Sequence, residues 1–404
     1  MEYMELKKAL RGRVQEKMDF VKDFTDAEVE DTIDEVILEQ GMMVYPVEIR
    51  RRLRQELFDS LRRLDILQIF VEDSSVTEIM INGKDHIFVE QNGRLRELDI
   101  SFESTEKLQD VIQQIVAGCN RVVNEASPIV DARLSDGARV NIVMNPIALN
   151  GPIVTIRRFP EKPITMEQLI QSNSISREAA AFLERLVKAG YNIFISGGTG
   201  SGKTTFLNVL SHYIPAEERI ITIEDSAELQ LQGLPNLVRL ETRNSNVEGC
   251  NEITIRDLIK SSLRMRPDRI IVGEVRGAEA FDMLQCLNTG HDGSMSTGHA
   301  NSARDMLARL ENMVLMGMEL PLAAIRQQIA SGLDVIVHLG RLRDKSRKVL
   351  EITEVVCCEQ NEIKLNPLFL FVESGEDDSG GVVGTLSRKG GLFHEDKLNA
   401  AGLS

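Results

Sequence analysis

The sequence predicts an α/β fold built on a mostly parallel sheet, and three observations support this prediction. From residue 176 onward, short apolar runs alternate with helical stretches, which is the order of a parallel sheet with helices on both faces. A glycine-rich loop at 197–205 follows one apolar run and opens a helix. Upstream, residues 64–159 hold short β-branched runs and Asn-Gly turns, which predict a smaller mixed α/β domain.

Composition divides the chain into five segments. Pro160 and Pro163 remove backbone donors and restrict the residues before them, so they predict a linker. Gly, Ser and acidic residues from position 373 onward predict a tail that is partly a flexible loop. The expected segments are a helical N-terminal extension at 1–63, an N-terminal α/β domain at 64–159, a linker at 160–175, a main α/β domain at 176–372 and a Gly- and acid-rich C-terminal tail at 373–404.

The individual elements follow from apolar periodicity and from turn residues. In the N-terminal domain the predicted strands are 77–81, 86–90, 140–144 and 154–157, and the predicted helix is 104–118. In the main domain the predicted helices are 178–189 and one that opens at Lys203, and the predicted strands are 191–196, 219–224, 268–274, 294–297 and 334–339.

The N-terminal extension reverses its charge along the chain. Residues 23–39 carry eight acids and no base, whereas residues 50–63 carry six arginines against two acids. The basic stretch has two interpretations, a patch for an acidic partner or lipid, and a solvated helix face that pairs with the acidic helix. Pairing is favoured because charge runs are usually surface.

Composition excludes several classes of protein. The 404 residues include 47 Lys and Arg against 62 Asp and Glu, a net charge of −15, so no direct nucleic-acid binding is expected. Five cysteines without CxxC spacing indicate reduced thiols in a cytosolic protein. No apolar run reaches the roughly 18 residues of a membrane span, so we expect no transmembrane segment.

The sequence GGTGSGKTT at 197–205 fits the pattern GxxxxGK(S/T) of a phosphate-binding loop. Its glycines let backbone N–H groups turn toward phosphates, its lysine reaches the β- and γ-phosphates, and its first threonine ligates Mg²⁺. The motif predicts ATP and Mg²⁺ as ligands. The predicted nucleotide-binding residues are Gly197, Gly198, Thr199, Gly200, Ser201, Gly202, Lys203, Thr204 and Thr205.

Acidic residues end two of the predicted strands, where ligands bind in open α/β sheets. Glu274 ends RIIVGE, Glu224 and Asp225 end RIITIED, and Glu228 follows one turn later. A carboxylate there holds Mg²⁺ or orients a water. A single such acid is more often a helix cap or a solvated charge, but two of them after a phosphate-binding loop favour catalysis.

The segment TGHDGSMSTGHAN at 289–301 contains His291 and His299. A lone histidine is more often structural, and metal ligation is weakly supported because the two are eight residues apart. A neutral histidine beside a γ-phosphate would sense the nucleotide state through a hydrogen bond.

In this order, the motifs GGTGSGKTT, ITIEDSAEL, RPDRIIVGEVRG and TGHDGSMSTGHAN resemble those of the type II/type IV secretion ATPase superfamily. With the upstream segment DARLSDGARVN, the chain is most similar to the CpaF subfamily of Tad/Flp pilus assembly ATPases. The resemblance spans roughly 64–345. It implies a cytoplasmic homo-hexameric ATPase with a RecA-like domain, which powers pilus assembly or type II/IV protein secretion at the inner face of the cell membrane, beside inner-membrane platform proteins.

The resemblance also implies roles for single residues. Glu274 is the Walker B acid, on Mg²⁺ together with Thr204. Glu224, Asp225 and Glu228 form an Asp box, and His291 and His299 form a His box. The arginines implied to reach the nucleotide from the N-terminal domain are Arg133, Arg139, Arg157 and Arg158. The first two flank the turn at Asp136-Gly137, so adjacent strands are expected to carry them.

Alternative functions remain open from the residues alone. The main alternative is an ATPase of a type IV secretion or conjugation system. An ATP-dependent phosphotransferase needs an acceptor-binding lid after the phosphate-binding loop, whereas here the extra domain precedes it. A GTPase would carry an NKxD guanine reader, which is absent, and a nucleic-acid translocase is disfavoured by the acidic charge and the lack of Trp.

Overall fold

The computed structural model describes residues 3–18, 24–40, 45–91, 93–119, 121–134, 136–158, 163–243, 251–378 and 380–403. The chain forms two compact units, Met1–Glu161 and Lys162–Ser404. The N-terminal extension and the N-terminal α/β domain, expected as separate segments, therefore belong to one unit. Lys107 Nζ and Gln114 Nε2, on the α/β part, donate to the backbone oxygens of Ser60 and Leu61 in the extension, at 2.8 and 3.1 Å.

The extension is a three-helix bundle whose charged faces pair with each other. Its helices are α1 (Tyr3–Lys17), α2 (Asp26–Glu39) and α3 (Val47–Arg62). Arg54 of α3 donates to Glu30 and Asp34 of α2 at 3.0 and 2.7 Å. Arg62 donates to Asp26 at 2.9 Å. Two of the six arginines of the basic stretch thus pair with the acidic helix, as the pairing interpretation expects.

The rest of the first unit is one antiparallel sheet covered by a helix. Its elements are α4 (Gln68–Glu72), β1 (Val76–Asn82), β2 (His86–Gln91), β3 (Arg94–Leu98), α5 (Thr105–Gly118), β4 (Ile129–Arg133), β5 (Arg139–Val143) and β6 (Ile153–Arg157). The strand order is β3-β2-β1-β6-β5-β4. Alternate residues such as Ile79 and Ile81 are buried with Leu108 and Ile112 of α5. The apolar residues at every second strand position and those on one face of α5 thus pack together in one apolar layer.

The second unit is built on a nine-stranded sheet. Its strands are β7 (Ile193–Gly197), β8 (Ile220–Glu224), β9 (Leu237–Glu241), β10 (Arg269–Val272), β11 (Met295–Gly298), β12 (Val335–Arg341), β13 (Arg347–Glu359), β14 (Glu362–Glu376) and β15 (Val382–Arg388). The strands β12-β7-β11-β10-β8-β9 are parallel neighbours, and β13, β14 and β15 extend the edge in antiparallel pairs. The mostly parallel sheet is confirmed.

Helices cover both faces of this sheet, as predicted. They are α6 (Met166–Gln171), α7 (Arg177–Lys188), α8 (Lys203–Ser211), α9 (Ile255–Ser262), α10 (Glu279–Leu287), α11 (Ala303–Gly317), α12 (Leu322–Gly332) and α13 (Asp396–Ala400). Ile193 and Ile195 of β7 pack in the core with α7 and α8, whereas Phe194 packs in the other core with α10, α11 and α12. Buried residues on both faces explain why these strands read as continuous apolar runs.

Two segments differ from the sequence prediction. The expected linker contains α6, whose Met166 packs in the core of the second unit; Pro160 lies outside the described residues. The expected tail is largely ordered: β14 continues to Glu376, β15 completes the sheet edge, and Leu398 is buried. Glycines and acids interrupt the apolar alternation of this segment, so its sequence does not indicate a strand. In the structure β14 and β15 pair with each other, and alternate apolar residues pack in the core.

Across the residues that the structure describes, no helix combines the length and the apolar character needed to cross a bilayer.

A buried arginine fixes the amino end of the central strands. Arg269 opens β10 with 2% of its surface exposed, and its guanidinium binds both oxygens of the Glu218 carboxylate. It also donates to the backbone oxygen of Val187 at 2.7 Å. A Cβ at Gly293 would lie 2.4 Å from Arg269 Nη1, so only glycine fits beside it.

We expect Arg269→Met to lower the free energy of unfolding by about 3–5 kcal/mol, because it leaves the Glu218 carboxylate without its buried partner. Urea unfolding of the full chain measures this. Lys364→Gln, which removes only the exposed ion pair with Glu362, is the control and should cost under about 1 kcal/mol. Equal losses in both variants would contradict the role given to Arg269.

Candidate functional site

Four neighbouring parallel strands bring the predicted site residues to one edge of the sheet. The strand order β7-β11-β10-β8 places Lys203, His299, Glu274 and Glu224 after consecutive carboxyl ends. The registers align these ends, since Ser196 pairs with Gly298 and Val272 pairs with both Ser296 and Ile223. The topology therefore gathers residues that are up to about a hundred positions apart in sequence, as in other open α/β sheets.

The glycine-rich loop has the close packing of a phosphate cradle. A Cβ at Gly197 would lie 2.5 Å from the Leu339 oxygen and 2.6 Å from Ser201 Oγ, so a side chain there would displace the neighbouring strand. Gly202, the N-cap of α8, has a φ of +94°, which L side chains rarely adopt. Ser201 Oγ is buried without a hydrogen-bond partner among the described residues.

Lys203 lies inside this loop. The residue is 8% exposed, and its ammonium donates to the backbone oxygens of Gly197 and Gly198 at 3.2 and 3.1 Å. Its Nζ is also 3.2 Å from His299 Nδ1. Because a lysine ammonium only donates, His299 Nδ1 accepts, and the ring proton is on Nε2. Burial, and then the charge of Lys203, lower the pKa of His299, which keeps this ring neutral.

Glu274 continues this line of polar groups. His299 Nε2 lies 2.7 Å from Glu274 Oε1, although the two groups are not aligned for a hydrogen bond. The other oxygen, Oε2, accepts from Arg276 Nε at 2.9 Å. Burial lowers the pKa of Arg276, but the hydrogen bond that Arg276 donates to Glu274 leaves this pKa above its ordinary value, and the charges of Asp225 and Glu228 raise it further. Three of the predicted acids thus act on one arginine.

Glu224 is the buried acid of the site, with 3% of its surface exposed. Its Oε2 accepts from the backbone N–H groups of Glu228 and Leu229 at 2.7 and 2.9 Å, whereas its Oε1 has no hydrogen-bond partner among the described residues. A Cβ at Gly273 would lie 2.8 Å from Glu224 Cγ, so glycine makes room for this side chain. Burial raises the pKa of Glu224 to about 7. Asp225, the next residue, is exposed.

These groups fit a nucleotide with Mg²⁺. The cradle, the buried ammonium and the amino end of α8 are all suited to phosphate. Thr204 and Thr205 are partly exposed in the first turn of α8. In phosphate-binding loops a threonine hydroxyl at this place binds Mg²⁺. No group of three His, Cys, Asp or Glu residues with metal-binding geometry occurs in the described part of the chain, and Mg²⁺ beside phosphates needs only one or two protein ligands.

His291 is not brought to this edge, contrary to the expected His box. It precedes β11, whereas His299 follows it, so the two lie at opposite ends of a four-residue strand. His291 Nδ1 contacts the backbone oxygen of Cys286 at 3.3 Å, at the end of α10. A spacing of eight residues around a strand separates side chains by about 13 Å or more, since each strand residue advances about 3.3 Å.

In the first unit, three of the predicted arginines form a row across the sheet. Arg133 lies opposite Arg139 in the β4–β5 pair, and Arg139 lies opposite Arg157 in the β5–β6 pair. Residues directly opposite share a face, with Cβ atoms about 4.5–5.5 Å apart. Glu78 ends the row, and its Oε1 lies 3.6 Å from Arg157 Nε. The expectation that adjacent strands carry Arg133 and Arg139 is confirmed.

Arg158 does not belong to this row. It follows the end of β6, and its guanidinium donates to the backbone oxygens of Asp73 and Val76. Because side chains alternate along a strand, neighbours such as Arg157 and Arg158 point to opposite faces. Arg158 therefore stabilises the start of β1, and we do not include it among the arginines expected to reach the nucleotide.

Arg276 is the site residue that the sequence analysis missed. Its position two residues after Glu274, in a loop with glycines on both sides, was the available signal. The two-residue spacing does not show by itself that the loop folds back so that the Arg276 guanidinium contacts the Glu274 carboxylate.

The raised pKa of Glu224 predicts a pH dependence of stability. The folded pKa is about 7, above the ordinary glutamate value of 4.5, so the folded state holds this proton more tightly. Stability from this group is therefore fully present below pH 4.5 and is lost as the pH rises toward 7. Between pH 5 and pH 8, wild type should lose about 2–3 kcal/mol relative to Glu224→Gln. Urea unfolding of the nucleotide-free protein at both values measures this, and a pH-independent difference would contradict it.

Comparisons with known proteins agree with this geometry. The family model for type II/IV secretion system proteins matches residues 61–372. The conjugal transfer protein TrbB of Rhizobium radiobacter is 32% identical over 307 residues, which cover 75% of this chain and 90% of that protein. The type IV secretion system protein VirB11 of Bartonella quintana is 30% identical over 332 residues, which cover 72% and 92%.

A solved structure supports the fold. The pilus retraction motor PilT with bound ADP has a TM-score of 0.54 and 20% identity, covering 74% of this chain and 84% of that chain. A likeness at this identity concerns the fold alone, and it confirms a RecA-like domain preceded by an N-terminal domain. From the extent of the family match and from relatives at 30% identity or more, the chain belongs to the type II/IV secretion system protein family.

Proposed function

We propose that this protein hydrolyses ATP to power a secretion or pilus machine. The observation that carries the proposal is the continuous line from Lys203 through His299 to Glu274 at the mouth of the glycine-rich loop. A phosphate-binding lysine and a strand-end acid are thereby linked through a neutral histidine. This arrangement supports water as the acceptor of the phosphoryl group, since the acids Glu274 and Glu224 beside the loop are groups that orient or deprotonate a water.

The residues of the site have separate tasks in this reaction. Lys203 exchanges the loop carbonyls and His299 for the β- and γ-phosphates, and His299 is then free to hydrogen bond with the terminal phosphate. Mg²⁺, when bound, neutralises phosphate charge, and Thr204 and Glu274 are the residues that would hold it. Glu224 has a pKa near 7, which suits a general base that takes a proton from the attacking water at neutral pH.

Arg276 gives Glu274 a counterion in the absence of nucleotide. Glu274 would exchange this counterion for Mg²⁺ when the metal is bound, which would leave the Arg276 guanidinium to Asp225 and Glu228. Those two acids already raise the pKa of Arg276, so they lie within electrostatic reach.

Hydrolysis without any added acceptor tests the proposal. We expect Lys203→Ala to abolish turnover and most ATP binding, because the lysine is the side-chain cation inside the cradle. Glu274→Gln should keep ATP binding and nearly stop hydrolysis, because it keeps the shape but removes the charge. Phosphate release and a nucleotide-binding assay measure both effects, with Lys364→Gln on the β14 surface as the control.

The same assay tests the proposed homo-hexamer, because turnover per subunit should rise with protein concentration as rings form. Wild-type turnover in Lys203→Ala would refute the ATPase. Full activity of a monomer at every concentration would refute the ring alone.

The machine itself is also a proposal. The resemblance to the CpaF subfamily supports Tad/Flp pilus assembly, with a cytoplasmic ring on the inner face of the membrane and platform proteins as partners. The second candidate is a type IV secretion or conjugation ATPase. It is favoured by the relatives TrbB, named for conjugal transfer, and VirB11, named for type IV secretion.

We also propose that Arg133, Arg139 and Arg157 stabilise the charge on the transferring phosphoryl group. The arginines lie directly opposite one another across β4, β5 and β6, which places three guanidinium groups in one row on one face of the sheet. An anion is the natural partner of such a row, and a guanidinium near a terminal phosphate acts mainly in the transition state.

We expect the Arg133→Ala/Arg139→Ala double variant to lower kcat by about tenfold to a hundredfold while ATP affinity is largely kept, because ground-state contacts come from the glycine-rich loop. Steady-state kinetics with a binding assay measures the split. Arg96→Ala, an exposed arginine on β3, is the matched control. An unchanged kcat in a correctly assembled double variant would remove both residues from the reaction.

A further inference from the structure

A hairpin flanks the glycine-rich loop on the side away from the acids. β12 pairs in parallel with β7 as far as Leu339 opposite Gly197, and then continues through Gly340 to Arg341. The chain turns and returns as β13, which begins at Arg347. In the strand order, β12 lies on one side of β7 and β11 on the other. The hairpin and the His299–Glu274 side therefore enclose the loop between them.

Two arginines of this hairpin lie against the loop. Arg347 Nε donates to the backbone oxygen of Gly200 at 2.8 Å. A Cβ at Gly202 would lie 3.6 Å from Arg347 Cδ, and a Cβ at Gly200 would lie 3.8 Å from Arg341 Nη1. Arg341 and Arg347 are also directly opposite each other in the β12–β13 pair. Their two guanidinium groups are thus neighbours over the same three residues of the cradle.

This placement concentrates positive charge that the described part of the chain does not neutralise. Like charges directly opposite across two strands repel, and Lys203 and the amino end of α8 add to the field. Within the described residues Arg341 makes no hydrogen bond or ion pair, and Arg347 makes only the bond to Gly200. Arg343 of the same hairpin shows the contrast, because it binds the carboxylates of Glu373 and Glu376.

The strand order decides which part of a nucleotide the two arginines face. The terminal phosphate belongs beside Lys203, His299 and Glu274, on the β11 and β10 side of the loop. The opposite side is left for the nucleoside. A guanidinium suits a nucleoside, since its planar N–H groups donate to ribose and base acceptors and its face stacks on a purine ring.

We propose that Arg341 and Arg347 form the nucleoside side of the nucleotide site, where Arg341 binds the nucleoside while Arg347 holds the hairpin on the loop. The proposal rests on the nucleotide site proposed above and adds its specificity: these residues distinguish a nucleotide from a bare polyphosphate. Arg341 is the residue to test, because Arg347 also supports the loop through Gly200.

Calorimetric binding of Mg²⁺·ADP and of Mg²⁺·tripolyphosphate to the full chain separates the two halves of the site. We expect Arg341→Gln to weaken ADP binding about tenfold, as the loss of one charge-assisted hydrogen bond does, and to leave tripolyphosphate binding within about twofold. Retained tripolyphosphate binding also shows that the loop is intact. Arg343→Gln removes the same charge from the same hairpin and should leave both affinities within about twofold.

Equal weakening of both ligands in Arg341→Gln would overturn the proposal, because the arginine would then act on the terminal phosphates. Unchanged ADP binding would overturn it as well, and so would an equal loss in Arg343→Gln, which would make the effect one of net charge. Failure of the nucleotide site itself has a different signature, in which wild type binds neither ligand or Lys203→Ala binds both as well as wild type does.

Discussion

The contact of Lys203 with the loop carbonyls and His299 is the interaction on which the site depends. A nearly buried ammonium needs acceptors, and here the backbone oxygens of Gly197 and Gly198 supply them. Those oxygens are available because Gly197 fits against Leu339 without a side chain. The pairing of β7 with both β11 and β12 fixes the distance between Gly197 and Leu339. The position of Lys203 therefore depends on the glycine-rich loop, and the loop depends on the parallel sheet.

Local patterns made much of this arrangement predictable. The glycine-rich loop could be read from nine consecutive residues, because the strand, the turn and the helix that it needs are adjacent in sequence. Glu274 and Glu224 could be placed because each ends an apolar strand, and parallel strands end at a common edge. The row of Arg133 and Arg139 followed from the turn between them.

Predictions that needed tertiary information were wrong or absent. The family resemblance grouped His291 with His299, although the predicted strand 294–297 separates them and only the residue at its carboxyl end reaches the common edge. Arg158 directly follows Arg157 in the chain, so its side chain points to the opposite face of the sheet. Arg341 and Arg347 come near Gly200 only through the register of β12 with β7, more than a hundred residues away in sequence. The segment after 373 reads as loop because glycines and acids interrupt an apolar alternation that pairing restores.

The contacts of that segment have a consequence for how the chain is made. Tyr191 Oη, at the start of the central strand β7, donates to the backbone oxygen of His394, 203 residues further along. Lys397 likewise reaches Gly190 and Asp334. During synthesis the glycine-rich loop at 197–205 leaves the ribosome long before residues 394–397, which contact the residues at the start of β7. Such distant pairing slows folding, so this unit completes its core only after residues 394–398 have emerged.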